Sequence, residues 1–89
     1  MKLVRRTAQF KQDVRRMEKR GQDMRKLTGA LKALVNGLEL PAQWRDHVLV
    51  GQYKGTRECH LEPDGLLIYE STESELVLIR TGSHSDLFR

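Results

Sequence analysis

The stretch that decides the fold is TRECHLEPDGLLIYESTESELVLIRT, residues 56–81. Its alternating and continuous apolar positions predict three strands, over 56–61, 66–70 and 75–81. Turn-forming residues at 63–65 and polar residues at 71–74 separate these strands. Both links are short enough for hairpins, so the stretch predicts an antiparallel meander.

Two helices are predicted before this meander. Phe10, Val14 and Met17 recur at spacings of four and three, which predicts a helix over 8–20. A second, wider apolar stripe follows and predicts another helix, with Asp23 as its N-cap. Neither a helical hairpin nor a sheet buries its apolar face alone. We therefore predict an α+β fold in which an N-terminal helical hairpin packs on one face of a small antiparallel β-sheet.

Alternation along the strands predicts which side chains share the face that the helices leave open. If Cys59 and Leu61 face the helices, His60 points to the open face. In the last strand, we expect Ile79 to face the core and Arg80 to lie on the open face. His60 and Arg80 are then expected to be neighbours across the sheet.

The charge of the chain is divided unevenly. The 89 residues carry a formal net charge of +4, but residues 1–32 hold 11 basic and 3 acidic residues, whereas residues 33–89 hold 5 basic and 9 acidic ones. A basic helical surface suits a polyanion such as nucleic acid, or an acidic protein partner. Solvation of the outer faces of the two helices explains the same pattern equally well.

Length and apolar patterning exclude several classes of protein. A chain of 89 residues has material for a single core, so we predict one domain over 1–89. The longest apolar runs, 66–69 and 76–79, are far shorter than the roughly 20 residues that cross a bilayer. We find no secretory signal, and Cys59 has no second cysteine with which to pair. These features predict a soluble, cytoplasmic protein with no membrane partner.

Three histidines carry the candidate chemistry. His47, His60 and His84 each lie within two residues of a carboxylate in the sequence. Imidazole titrates near neutral pH and serves as general base or general acid, with each transfer worth ~10²- to 10⁴-fold in rate. Each histidine taken alone is equally compatible with a surface or structural role. His60, Glu62 and Asp64 form an alternative, metal-ligating set, although Asp64 falls in a predicted turn.

Three segments, DHVLVGQYKGTRECHLEPDG (46–65), LLIYE (66–70) and RTGSHSDLF (80–88), carry a resemblance to a known family. In sequence and spacing they resemble the YafQ-type toxins of the RelE/ParE superfamily of bacterial toxin–antitoxin systems. The resemblance extends over nearly the whole chain. It implies a ribosome-dependent endoribonuclease that cuts messenger RNA and that a cognate antitoxin neutralises in a hetero-oligomeric complex.

By position, the resemblance also implies a set of catalytic residues: His47, His60, Asp64, Arg80 and His84. Further contacts to the substrate are expected from Lys54, Arg57 and Phe88. No metal and no other cofactor is expected. The basic helices are expected to contact ribosomal RNA, a dense polyanion.

The chemistry of RNA cleavage fits these residue types. RNA supplies its own nucleophile, the 2′-hydroxyl, so a metal-free nuclease needs a base, an acid and cations for the developing charge. We expect His84 to be the principal acid/base group, with His47 and His60 as its partner or as phosphate-orienting groups. Arg80 is expected to stabilise charge in the transition state, and Phe88 to stack on an unpaired base.

A second functional class stays open. Gly65 occupies a position where relatives commonly have tryptophan, which is a departure from the family pattern. The alternative to a nuclease is a catalytically inactive relative, or a ParE-type toxin that acts by binding a protein target such as gyrase.

Overall fold

The computed structural model describes residues 1–49, 55–62 and 65–88. In chain order its elements are β1 (Leu3–Arg6), α1 (Ala8–Lys19), α2 (Arg25–Val35), a 3₁₀ turn (Ala42–Trp44), β2 (His47–Val48), β3 (Arg57–Glu62), β4 (Gly65–Ser71), β5 (Glu75–Gly82) and α3 (His84–Leu87). The described strands form one sheet in the order β1-β5-β4-β3-β2.

The predicted meander is confirmed, but the sheet is mixed rather than purely antiparallel. Strands β3, β4 and β5 pair antiparallel to one another. The short β1 lies parallel to β5 on one side of the meander, with Leu3 opposite Glu75. On the other side, β2 pairs antiparallel with β3, with His47 opposite Glu58.

The two helices are confirmed, and the start of the second differs from the prediction. α2 begins at Arg25 with Met24 at the N-cap, so Asp23 lies one residue too early to cap it. The Asp23 carboxylate instead accepts the side-chain and backbone N–H groups of Arg25, at 2.7 and 2.9 Å. These hydrogen bonds lower the pKa of Asp23 to about 2.

The helical hairpin packs on one face of the sheet, as predicted. The core between them is built from Phe10, Leu27, Ala30 and Leu34 of the helices and from Cys59, Leu61, Leu67, Tyr69, Leu76 and Leu78 of the sheet. Cys59 is fully buried there, and burial raises the pKa of its thiol to about 12. The buried thiol is therefore neutral at physiological pH.

Over residues 76–79, the two faces of β5 are the reverse of the prediction. Leu76 and Leu78 lie in the core beneath the helices, whereas Ile79 packs on the opposite face of the sheet. A bulge in the β4–β5 pairing makes Ile79 the extra residue and places Arg80 opposite Ile68. The prediction that Ile79 faces the helices is wrong because an uninterrupted apolar run offers either face to the core.

A second, smaller apolar cluster lies on the face away from α1 and α2. It consists of Leu66, Ile68 and Leu87, with Leu49 and Ile79 packed against it. Leu87 belongs to α3, so this cluster attaches the C-terminal helix to the otherwise open face. In the part of the chain that the structure describes, no helix is both long and apolar enough to span a bilayer.

Candidate active site

One lateral row of the sheet brings two of the histidines together. His60 of β3 lies opposite Leu66 of β4, which in turn lies opposite Gly82 of β5. Directly opposed residues share a face, so His60 lies on the face of the small apolar cluster, away from α1 and α2. His84 begins α3 two residues after Gly82, and its ring centroid is 6.1 Å from that of His60.

The three imidazoles and one aromatic side chain form a continuous line, which we call the ring row: His47, His60, His84 and Phe88. The rings of His47 and His60 are stacked with their centroids 5.9 Å apart, and those of His84 and Phe88 are 6.0 Å apart. His47, His84 and Phe88 are exposed to solvent. Four of the side chains that the sequence analysis predicted for the site therefore converge on one accessible surface.

Glu58 belongs to this site, and the sequence analysis missed it. Its Oε1 lies 3.2 Å from Nε2 of His60 and 3.4 Å from Nε2 of His47, and its side chain is only 6% exposed. A buried carboxylate between two imidazoles orients both rings. The available signal was its position two residues before His60, which places both side chains on one strand face.

Two contacts orient the ring of His47. Its Nδ1 lies 2.6 Å from the carbonyl oxygen of Arg45, which only accepts hydrogen bonds, so Nδ1 carries a proton. Its Nε2 faces the Glu58 carboxylate, another acceptor. The ring is therefore held between the carbonyl oxygen of Arg45 and the Glu58 carboxylate.

Asp46, the carboxylate next to His47 in the sequence, makes its contacts on the opposite face of the sheet. Asp46 accepts hydrogen bonds from Tyr69 Oη at 2.7 Å and from Arg57 Nε at 3.0 Å. Burial and the hydrogen bond to Asp46 raise the pKa of Tyr69. Arg57 lies opposite Tyr69, whose ring is in the core beneath the helices. The structure therefore does not bring Arg57, a predicted substrate contact, to the ring row.

Asp86, the carboxylate next to His84, fastens α3 to α1. It accepts the backbone N–H of Ser83 in a capping box, and its Oδ2 lies 3.2 Å from Arg20 Nη1 and 3.7 Å from Arg16 Nη2. Partial burial alone raises the pKa of this carboxyl. The hydrogen bonds from Ser83 and Arg20 outweigh burial and lower the pKa of Asp86 to about 2.

Replacing Asp86 with asparagine should lower the free energy of unfolding at pH 7 by about 1 kcal/mol, because a helix cap and two partly exposed ion pairs are weakened. The folded pKa of about 2 lies below the ordinary value of 3.8. The carboxylate therefore stabilises the folded state fully above pH ~4, and this contribution is lost as the pH falls towards 2. Urea unfolding of both proteins between pH 7 and pH 2 measures the difference.

The difference in free energy of unfolding between the wild-type and Asp86→Asn proteins should accordingly shrink to near zero at the acidic end of this range. Glu70→Gln is the matched control, because Glu70 is an exposed carboxylate on β4. Its stability difference should stay within about 0.5 kcal/mol at every pH. If the stability difference between the wild-type and Asp86→Asn proteins grows on acidification, the contacts assigned to the Asp86 carboxylate are contradicted.

By its register, Arg80 lies on the face of the sheet that carries His60, as expected, but in a different lateral row. It shares a lateral row with Ile68 and Glu58, whereas the row of His60 ends at Gly82. Its guanidinium donates to Asp13 of α1, from Nε at 2.8 Å and from Nη2 at 3.0 Å.

The metal-ligating set that the sequence suggested is not assembled by the described residues. Glu62 pairs with Lys26 at 3.3 Å, and Asp64, like the predicted substrate contact Lys54, lies outside the described residues. His47, Glu58 and His60 instead offer one ligand atom each, all within 4.8 Å of one another. Two imidazole nitrogens and one carboxylate oxygen are ligands that Zn²⁺ accepts.

The sequence and the fold match the class of bacterial toxins from type II toxin–antitoxin systems. The family model with the description "Bacterial toxin of type II toxin-antitoxin system, YafQ" matches residues 2–89. The chain therefore belongs to the YafQ family, and the resemblance found in the sequence is confirmed.

Individual relatives agree with this assignment. The mRNA interferase toxin YafQ of Escherichia coli strain K12 is 45% identical over 83 residues, which cover 92% of this chain and 90% of that protein. The crystal structure of the E. coli DinJ–YafQ toxin–antitoxin complex contains a chain with a TM-score of 0.92 and 42% identity, covering 99% of this chain and 98% of that one. A metal-bound toxin from Helicobacter pylori has a TM-score of 0.89 and 38% identity, covering 99% and 100%.

Proposed function

We propose that this protein is an mRNA interferase, an endoribonuclease that cuts messenger RNA on the ribosome by histidine acid/base catalysis without a bound metal. The observation that carries the proposal is the ring row, in which three imidazoles line up on an accessible face and a buried carboxylate contacts two of them. The relative from E. coli, named as an mRNA interferase toxin, supports the reaction class. Residues 1–89 act as one toxin domain.

Proton transfer is assigned to His84 and His60. His84 is exposed at the start of α3, where a bound ribose-phosphate can reach it, so it is the principal acid/base group. The contact of His60 with the Glu58 carboxylate places the proton of a neutral ring on Nε2, which leaves Nδ1 as the acceptor. One imidazole takes the proton of the 2′-hydroxyl and the other returns a proton to the departing 5′ oxygen.

Charge stabilisation and base binding fall to the neighbouring side chains. His47 orients the scissile phosphate, and the guanidinium of Arg80 supplies a permanent positive charge on the same sheet. Phe88 is 38% exposed at the end of the ring row, and stacking on an unpaired base contributes roughly 1 to 3 kcal/mol in comparable interfaces. Asp64 is proposed to fix a histidine tautomer or to position the substrate.

Two macromolecular partners follow from the surface of the molecule. Lys11, Arg15 and Lys19 are exposed on α1, where their charges suit ribosomal RNA. The second partner is a cognate antitoxin in a hetero-oligomeric complex, as the E. coli DinJ–YafQ structure suggests for this chain.

The proposal is tested by adding the purified protein to translating ribosomes on a defined messenger RNA. Cleavage should leave a 2′,3′-cyclic phosphate or a 3′-phosphate, require translation and persist in the presence of a chelator. A reaction on the same message without ribosomes is the control. Growth arrest with intact messenger RNA would instead favour the alternative, a toxin that binds a protein target such as gyrase.

Zinc ions should inhibit cleavage at least 10-fold at saturation, because Zn²⁺ bound by His47, Glu58 and His60 ties up imidazoles that the reaction needs. The cleavage rate is measured against free Zn²⁺, and excess chelator should restore it. Mg²⁺ at the same concentration is the control, since it binds imidazole poorly. Stimulation by Zn²⁺ would overturn the metal-free mechanism.

A further inference from the structure

Asp13 is a buried charge to which the proposed reaction assigns no role. Its side chain is fully excluded from solvent in the middle of α1. In the sequence it interrupts an apolar stripe, since Phe10 lies three residues before it and Met17 four residues after it. A buried carboxylate is costly unless its oxygens are fully hydrogen-bonded.

Four donors surround this carboxylate. Oδ2 accepts from Arg80 Nε at 2.8 Å and from the backbone N–H of Thr81 at 3.1 Å. Oδ1 accepts from Arg80 Nη2 at 3.0 Å and from Arg16 Nη2 at 2.8 Å. Both oxygens are therefore occupied, and the pairing with Arg80 is bidentate, which fixes the plane of the guanidinium.

The location of these contacts connects Asp13 to the site. β1 pairs with β5 only as far as Leu78, so the Thr81 N–H lies beyond the paired segment and Asp13 serves as its acceptor. Thr81 is three residues before His84. Arg16, the other partner of Asp13, also approaches Asp86 on the helix that carries His84.

We propose that Asp13 is a positioning residue of the candidate active site. Its carboxylate holds the guanidinium of Arg80 and the end of β5 that leads into His84. The proposal rests on the proposed function. An apolar side chain would fill the same place in the core without a desolvation penalty. A carboxylate there fixes a cation in advance of the negative charge that develops on the phosphate.

The first test is Asp13→Asn, which keeps the shape of the side chain and removes its charge. We expect the single-turnover cleavage rate constant to fall at least 10-fold, with the Kd for a 2′-deoxy substrate analogue changed less than 2-fold. Asp23→Asn is the matched control, because Asp23 is an exposed carboxylate paired with Arg25. It should leave both values unchanged. An unchanged rate in a folded Asp13→Asn protein would overturn the proposal.

A double-substitution cycle separates positioning from general support of the fold. If Asp13 acts through Arg80, Asp13→Asn should slow cleavage less than 2-fold in an Arg80→Ala background. A purely structural role predicts the same factor in both backgrounds and would refute the assignment. Should Asp13→Asn fail to fold, Asp13→Glu keeps the charge, shifts it by one methylene group and serves in the same cycle.

A measurement independent of activity distinguishes this proposal from the proposed function. In the ¹H–¹⁵N spectrum of the full chain, the Nε–H of Arg80 should exchange slowly with water, and Asp13→Asn should accelerate that exchange at least 10-fold. If the wild-type protein cuts no RNA, the proposed function fails while the spectrum still reports on Asp13 and Arg80. If cleavage is confirmed and the exchange rate is unchanged, the positioning role alone fails.

Discussion

Replacing His84 with alanine is expected to reduce the rate constant of messenger RNA cleavage by about 100-fold or more, since one acid/base group contributes roughly 10²- to 10⁴-fold. His84 is the exposed imidazole at the start of α3, 6.1 Å from His60 and 6.0 Å from Phe88. Its removal takes away one of the two proton carriers without disturbing the buried clusters. Single-turnover cleavage on programmed ribosomes measures the loss.

Binding of the antitoxin should be retained in the His84→Ala variant, which shows that the chain is folded. Ser85→Ala is the matched control, since Ser85 is the next residue on the same short helix and is also exposed. Its cleavage rate should stay within 2-fold of the wild-type value. Normal cutting by His84→Ala would remove His84 from the mechanism and leave His60 as the only supported proton carrier.

Leu66→Ala is expected to lower the free energy of unfolding by about 2–5 kcal/mol, the range for truncating a fully buried leucine. Leu66 lies beneath α3 in the small cluster with Ile68 and Leu87. The cavity left there would loosen the helix that carries His84. Urea unfolding measures the stability, and cleavage is expressed per folded molecule.

Leu67→Ala is a matched control for the effect of Leu66→Ala on cleavage. Leu67 is the next residue of β4, is equally buried and faces the core beneath the helical hairpin instead. The two substitutions should cost comparable stability, but only Leu66→Ala should reduce cleavage per folded molecule. Equal losses of activity would show that the position of α3 does not depend on the small cluster.

The regular part of the fold was predictable because its signals are local. The spacing of Phe10, Val14 and Met17 fixes one face of α1, and alternation assigns Cys59 and Leu61 to the helices. β1 was not predicted to join the sheet, because its four residues are all exposed and its partner strand is about 70 residues away in sequence. Its attachment depends on a long-range pairing that no short window of sequence encodes.

The orientation of β5 shows a different limit. Four consecutive apolar residues carry no periodicity, so the sequence could not decide whether Leu78 or Ile79 faces the helices. The bulge at Ile79 then places Arg80 in the lateral row of Ile68 and Glu58, on the face that was expected for it. The contact between Arg80 and Asp13 had no local signal.

The candidate site was found in part. The three histidines stood out in the sequence itself and the resemblance added their expected roles; the structure brings them together with Phe88, while those roles stay predictions. Glu58 was missed because an acidic residue on an alternating strand reads as a solvated one, although it is only 5% exposed. Sequence proximity was a poor guide to partners, since neighbouring residues of a strand point to opposite faces.

The alternation of β3 makes this strand intolerant of changes in length. One residue inserted just before Glu58 would turn His60 towards α1 and bring Leu61 to solvent. Such an insertion removes the core and the site together, whereas substitution of His60 removes only the site. Variants that lose the activity of this toxin but still fold are therefore expected to carry replaced side chains and not insertions or deletions within β3.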